Sequence, residues 1–185
     1  MNPDLSAAAL SALDVAGLAA AYGTGLLFLQ AGIAKLRRRA LLPGIVANYR
    51  LLPNPLVAPV AQALPVVEIL LGMALLASGD RIAVVAASAL LLIFAGAMAI
   101  NIARGRSHID CGCGHSQLRQ PLSWPLVWGN LALAAFALLR LVPAPEPTIA
   151  ERLAAAAAGA GLFMLVLLFN ALGALALSPI AAKRR

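Results

Sequence analysis

The sequence is short of charge. Asp, Glu, Lys and Arg make up 11% of its 185 residues, against about 25% in a typical soluble domain. Apolar types make up 62%, and mean hydropathy is +0.91. A soluble domain of this length cannot hide that much apolar surface, so an ordinary soluble fold is excluded. A bilayer removes the difficulty because it is itself the apolar solvent. Cysteine is scarce too. Two thiols are too few for a stabilising framework and leave the redox compartment undefined. Aromatics are few, and the dominance of Ala and Leu suits helices packed closely in lipid. The first ten residues hold Asp4 and no Lys or Arg. A cleavable signal peptide starts with positive charge, so the first apolar stretch reads as a retained helix. There is no internal repeat and no separate soluble domain.

What is present is a set of long apolar runs. A helix needs roughly 20 apolar residues to cross a hydrocarbon core of about 30 Å. Five segments qualify, at about 15–36, 56–78, 82–103, 122–142 and 153–177. The expected fold is all-α, a single polytopic membrane bundle of five helices over 1–185. The connections differ in character. Residues 37–55 are amphipathic and carry Pro43, Pro53 and Pro55, with a short interfacial helix expected at 45–52 and Tyr49 and Arg50 at headgroup level. Residues 79–81 are a tight turn, 104–121 a polar loop, and 143–147 a stiff proline-rich turn.

The net charge of +7 would suggest nucleic acid in a soluble protein. Here the basic residues flank apolar spans, at 35–39 and 183–185, and no basic stripe with stacking aromatics exists. They read as topology signals that meet anionic headgroups, not as a nucleic-acid surface. Placing the N-terminus outside puts Lys35, Arg37, Arg38, Arg39, Arg50, Arg104, Arg106, Arg119, Lys183, Arg184 and Arg185 inside. That leaves Arg81, Arg140 and Arg152 outside. The positive-inside rule therefore predicts an N-terminus outside, with the C-terminus and the loop 104–121 on the cytoplasmic side.

That loop reads His108-Ile109-Asp110-Cys111-Gly112-Cys113-Gly114-His115 and holds every cysteine and histidine of the chain. The concentration is the strongest functional signal in the sequence. Two cysteines can bridge when their Cα atoms come within about 4.4–6.8 Å, and the glycines permit the turn this needs. The ring would be small and strained, and strained disulfides are the readily reduced ones. A bridge across one residue closes almost no loop entropy, so it suits a shuttle and not a staple. Arg104, Arg106, Arg119 and a protonated histidine favour thiolate, while Asp110 opposes it. Asp110, His108 or His115 is a candidate proton relay. The competing reading is a metal: Cys111, Cys113, His115 and His108 offer the four ligands of a zinc site, cramped within one octapeptide, and the two thiolates alone suit copper(I). Thiol redox ranks first and metal second.

Glu68 lies in the middle of the second span, three residues after Pro65. A carboxylate there is costly, so it is expected to face the bundle, protonated or paired. It is either a proton carrier or quinone-contacting group, or a helix-packing hydrogen bonder; a quinone is the one cofactor this position suggests. Gln30, Asn101, Asn130 and Asn170 read as interhelical hydrogen bonders. Gly17, Gly23, Gly25, Gly72 and Gly96 read as points of close helix approach, and Trp124 and Trp128 as interfacial anchors.

With these residues in view, the chain resembles the MauE family of methylamine utilisation proteins, within the broader DoxX-like group of small redox-associated membrane proteins. The resemblance covers about 23–139 and rests on four stretches. Phe28-Leu29-Gln30-Ala31-Gly32-Ile33-Ala34-Lys35-Leu36 is followed by Val46-Ala47-Asn48-Tyr49-Arg50-Leu51-Leu52-Pro53. Next come Leu64-Pro65-Val66-Val67-Glu68 with Gly72, and then Asn101-Ile102-Ala103-Arg104-Gly105-Arg106 leading to Asp110-Cys111-Gly112-Cys113-Gly114. Last are Trp124, Asn130 and Leu131. The family commonly has a bulky residue at position 114 and often Arg at position 129, where this chain has Gly114 and Gly129. No charge partner for Glu68 or the loop can be drawn from position 129.

The resemblance implies a four-helix DoxX-like core plus one helix. It also implies a role in processing, export or maturation of the disulfide-rich small subunit of periplasmic methylamine dehydrogenase, beside a thioredoxin-like partner, MauD. Cys111 and Cys113 would then pass redox equivalents to that partner, as a thiol–disulfide oxidoreductase does. A non-redox assembly factor or chaperone is the alternative from another class. A small transporter using Glu68 ranks lower, since no inverted repeat is evident. Two expectations conflict: oxidative maturation of a periplasmic enzyme calls for an outward-facing thiol site, whereas the charge count puts the loop inside.

Overall fold

A computed structural model of the protein describes residues 3–112 and 121–176. The described residues form an all-α bundle with no strand, only an isolated bridge between Asp110 and Pro121. The elements are α1 (Pro3–Arg37), α2 (Leu42–Asn48), α3 (Asn54–Ser78), α4 (Arg81–Ala103), α5 (Trp124–Leu138), a 3₁₀ turn (Leu139–Leu141) and α6 (Ile149–Ala176). Five stretches are long and apolar enough to cross a membrane: Ala8–Arg37, Asn54–Ser78, Arg81–Ala103, Trp124–Leu141 and Ile149–Gly173.

Local chemistry sets the ends. α3 opens on Pro53 in extended backbone with a proline in its first turn, and stops at Gly79. Gly79 takes φ +56° and returns its N–H to the Leu75 carbonyl at 2.9 Å, a left-handed C-cap that favours glycine. α6 opens on a capping box: the Glu151 carboxylate accepts from the Thr148 N–H at 2.7 Å, and Thr148 Oγ1 accepts from the Glu151 N–H at 3.3 Å. The short helix starts earlier than the sequence suggests, because Pro43 fits a first turn, and it ends before Tyr49.

α1 is the hub, packing on α3, α5 and α6, while α4 pairs with α5. α1 and α3 run antiparallel with their backbones nearly touching. A Cβ on Gly72 would stand 2.8 Å from the Gly25 carbonyl oxygen, so larger residues would force the helices apart. The expected close approach holds likewise at Gly17 and Gly23 and fails at Gly96, which is exposed and has nothing within 4 Å. The amides depart from expectation too. Asn101 and Asn130 each donate to a carbonyl four residues back in their own helix, Ala97 at 3.0 Å and Leu126 at 2.8 Å, and not across helices. The i−4 carbonyl is the acceptor within reach of a short side chain in apolar surroundings.

Candidate functional site

Lys35 stands two residues from the end of α1, and Glu68 ten residues from the end of α3, about 15 Å along that helix. The Lys35 ammonium donates to both Glu68 carboxylate oxygens, at 2.6 and 2.8 Å. Lys35 is 9% exposed and Glu68 1%. Gly32, one turn before Lys35, makes this possible. A Cβ there would sit 2.8 Å from the Pro65 carbonyl oxygen, so the helices meet closely where Lys35 turns toward Glu68. The pairing corrects one sequence reading. Lys35 is not a headgroup-facing topology signal like the exposed Arg37, Arg38 and Arg39 beside it. A buried carboxylate with no counter-charge is far costlier than a paired one, and Lys35 is the cation the fold supplies.

The pair is exposed to an internal space. A cavity of about 590 Å³ has Lys35 and Glu68 in its wall together with Cys111, Gly112 and Tyr49. That volume lies within the range of small-molecule sites, about 300–1,000 Å³. The cavity runs along the last turns of α1, at Leu27, Phe28, Ala31 and Lys35, and α2 with the Cys111 turn lines it as well. The other walls are apolar side chains of α4, α5 and α6, interrupted by Asn130 and Asn170. Gly129 also lines the cavity, and a Cβ there would meet nothing within 4 Å.

The turn that carries Cys111 is built by three anchors. Arg106 donates to Asn101 Oδ1 at 3.1 Å and to the Asn48 carbonyl at 2.7 Å, tying the end of α4 to α2. Ile109 is buried against Met98, Leu122 and Leu126, and its carbonyl accepts from the Leu122 N–H at 3.2 Å. Asp110 Oδ1 accepts from the Gly112 N–H at 3.0 Å, an Asx turn that Gly112 completes with φ +73°. Tyr49 then donates its hydroxyl to the Cys111 carbonyl at 3.0 Å. Tyr49 thus serves as a strut between α2 and the cysteine turn, which its headgroup-level assignment did not foresee.

Of the sequence candidates, Cys111 and Glu68 come to one cavity. Asp110 spends a carboxylate oxygen on the turn, and His108 is exposed; neither lines the cavity. Cys113 and His115 lie outside the described residues, as does Arg119. Trp124 and Trp128 are exposed and stand apart from the cavity wall.

A second buried ion pair escaped the sequence reading. Arg140 donates to Asp14 Oδ1 at 2.6 Å, and both are almost fully buried. Arg140 also reaches Glu146 at 3.6 Å, and Glu146 pairs with Arg152 at 3.0 Å. Arg140, counted by sequence among the outer loop cations, is in fact turned inward against α1. Asp14, directly before an apolar run and far from any basic residue in sequence, was the signal that could have revealed the pair.

The chain can now be set beside known proteins. A sequence model of the family described as methylamine utilisation protein MauE matches residues 13–143. The chain is 43% identical over 162 residues to methylamine utilization protein MauE of Paracoccus denitrificans, covering 85% of this chain and 87% of the relative. It is 42% identical over 146 residues to the protein of that name from Methylorubrum extorquens, covering 77% and 78%. With the Methylophilus methylotrophus protein of the same name the identity is 45% over 109 residues, 58% of this chain and 55% of the relative. No solved structure matches the chain. A family match across most of the sequence, carried on a multi-pass membrane bundle, establishes that the chain belongs to the MauE family of methylamine utilisation proteins.

Proposed function

We propose that the protein works from the bacterial inner membrane in maturation of the disulfide-rich small subunit of periplasmic methylamine dehydrogenase, by thiol–disulfide exchange at Cys111 and Cys113. The observation that carries the reading is the seat of Cys111: a braced turn on the wall of a membrane cavity that also holds a buried ion pair. The other cysteine of the chain, Cys113, follows it by two residues in the sequence. In the exchange, a thiolate of a thioredoxin-like partner of the MauD kind attacks one sulfur of the Cys111–Cys113 disulfide. A mixed disulfide forms, and the partner's second thiolate then displaces the remaining sulfur. The partner leaves oxidised by two electrons, and Cys111 and Cys113 are left as two thiols. The partner in turn acts on the substrate subunit.

The test is complementation of cells that lack the protein. Cys111→Ser, Cys113→Ser and the double variant should each abolish accumulation of a disulfide-bonded small subunit, read by mass spectrometry of alkylated protein. A mature subunit in cells carrying the double variant sinks the redox reading and favours a non-redox assembly factor. A membrane-impermeant maleimide applied to intact cells, with and without prior reduction, reports the face of the loop. Labelling only after reduction marks an outward disulfide in direct exchange with a periplasmic partner. Labelling only after permeabilisation marks a cytoplasmic pair, the side the charge balance predicts, and favours relay of cytoplasmic electrons or a metal role.

A further inference from the structure

The cavity has a construction that maturation alone does not require. Its long rim on α6, at Leu165, Leu168 and Phe169, consists of side chains more than half exposed within an apolar span. Across from them Gly129 of α5 is exposed as well. The space therefore opens sideways, between α5 and α6, at the depth where hydrocarbon lies. An occupant that enters there comes from the bilayer and is largely apolar.

The few polar groups in the wall say what its head must be. Lys35 has an ammonium with three N–H donors, and among the described residues it donates to Glu68 alone. Glu68 balances its charge, so the site attracts neither an anion nor a cation strongly. What it offers is a donor that Glu68 does not exhaust, in a low dielectric. On the α6 wall the Asn170 side-chain amide bonds no other described residue and supplies a second donor. A neutral, flat molecule with carbonyl acceptors on opposite edges and an isoprenoid tail answers this set. An acyl chain would use neither polar group, and a charged headgroup would disturb a neutral pair.

We propose that this cavity binds the head of an isoprenoid quinone, and that the quinone is the oxidant that restores the Cys111–Cys113 disulfide. Binding stands on the cavity alone; the electron step rests on the thiol function proposed above. In that step the two S–H bonds break and one S–S bond forms. Two electrons and two protons pass to the quinone, whose two carbonyl oxygens become the hydroxyls of a quinol. Lys35 donates to the carbonyl on which negative charge builds as electrons arrive, and Glu68 holds that ammonium in place. Lys35 is thus a binding residue and Glu68 a positioning residue.

The experiment uses the full chain in lipid nanodiscs with a photoreactive short-chain ubiquinone as the probe. The wild type should crosslink saturably, with the label mapped to peptides of α1, α5 or α6. Gly129→Phe, which places a ring where a Cβ meets nothing, should weaken labelling about tenfold or more, and Asn170→Leu on the more exposed α6 should weaken it about tenfold. In a parallel anaerobic assay, pre-reduced wild type mixed with decylubiquinone should form one quinol for every two thiols lost. Unsaturable labelling, or labelling indifferent to both substitutions, overturns the site and points to an ordinary acyl chain in the cavity. Saturable labelling without thiol loss leaves the site standing and removes the quinone as oxidant. The double-serine complementation, read on the small subunit, tests the thiol function independently of either result.

Discussion

Two buried ion pairs divide this small bundle, and they differ in what surrounds them. Lys35–Glu68 and Arg140–Asp14 have the same shortest N···O distance, 2.6 Å, and both are almost wholly withdrawn from solvent. The first faces a cavity of about 590 Å³. The second is sealed: at Gly17 the backbone of Arg140 already occupies the place of a Cβ, and the cavity does not reach it. The second pair also continues outward through Glu146 to Arg152. A sealed, networked pair reads as a fastener that holds the chain after α5 against α1. An open, isolated pair reads as a place kept polar for something to bind.

Removing one partner tests that contrast most sharply. Glu68→Ala leaves a buried ammonium whose only described oxygen partner is gone, and should cost about 3–5 kcal/mol in unfolding measured in detergent. The Phe94 ring, 5.7 Å from the ammonium, offsets little of this. The Lys35→Met/Glu68→Leu double variant should regain most of the loss and still fail to function. If the double variant were as unstable as Glu68→Ala, the pair would be a structural clasp and the contrast with Asp14 would collapse.

The sealed pair should give less. Asp14→Ala leaves Arg140 with Glu146 within reach, so the cost should fall to about 1–3 kcal/mol by the same measurement. Gly17→Ala should cost about as much, roughly 1–3 kcal/mol, because the new methyl must push back main chain and not a flexible side-chain tip. A larger loss for Asp14→Ala than for Glu68→Ala would reverse the assignment of fastener and site.

The same contrast explains what could be read without coordinates. Five apolar runs announce five helices because lipid imposes one constraint on every span, and composition reports it directly. Glu68 was equally visible, a carboxylate with nowhere to go but inward. Its partner was not. Lys35 sits in a run of cations that the positive-inside rule explains well, and only the approach of α3 at Gly32 separates it from Arg37, Arg38 and Arg39. Arg140 was hidden in the same way, as one of a few cations beyond a span end. Pairing across 126 residues between Arg140 and Asp14 depends on helix register, which span-finding does not supply. The cavity was illegible for a related reason: it is the space left between helices that do not close on one another, and no residue type encodes an absence.

Tyr49→Phe sharpens the link between the open pair and the cysteine turn. It removes the hydroxyl that donates to the Cys111 carbonyl and leaves the ring in place. The stability cost should be about 0.5–1.5 kcal/mol. Its larger signature should be kinetic, a several-fold faster alkylation of reduced Cys111 as the turn loosens. Unchanged alkylation would mean that Arg106 and the Asx turn at Asp110 hold the cysteine without help from the Tyr49 hydroxyl.

The smallest expected effect is the most discriminating, because its sign differs between the two regions. Gly129→Ala adds one methyl to the cavity wall, where nothing lies within 4 Å, whereas the same change at Gly17 drives a methyl into backbone. At Gly129 the gain in helix propensity should win, giving roughly 0.5–1 kcal/mol of added stability. Opposite signs for one chemical change, made at two glycines beside two ion pairs, have a single physical source: empty space at one and main chain at the other. A loss at Gly129 would show that the wall is filled in the membrane by packing or by a tightly held occupant. Repeating the measurement on protein stripped of lipid-soluble molecules by detergent exchange separates those two, because only an occupant can be washed away.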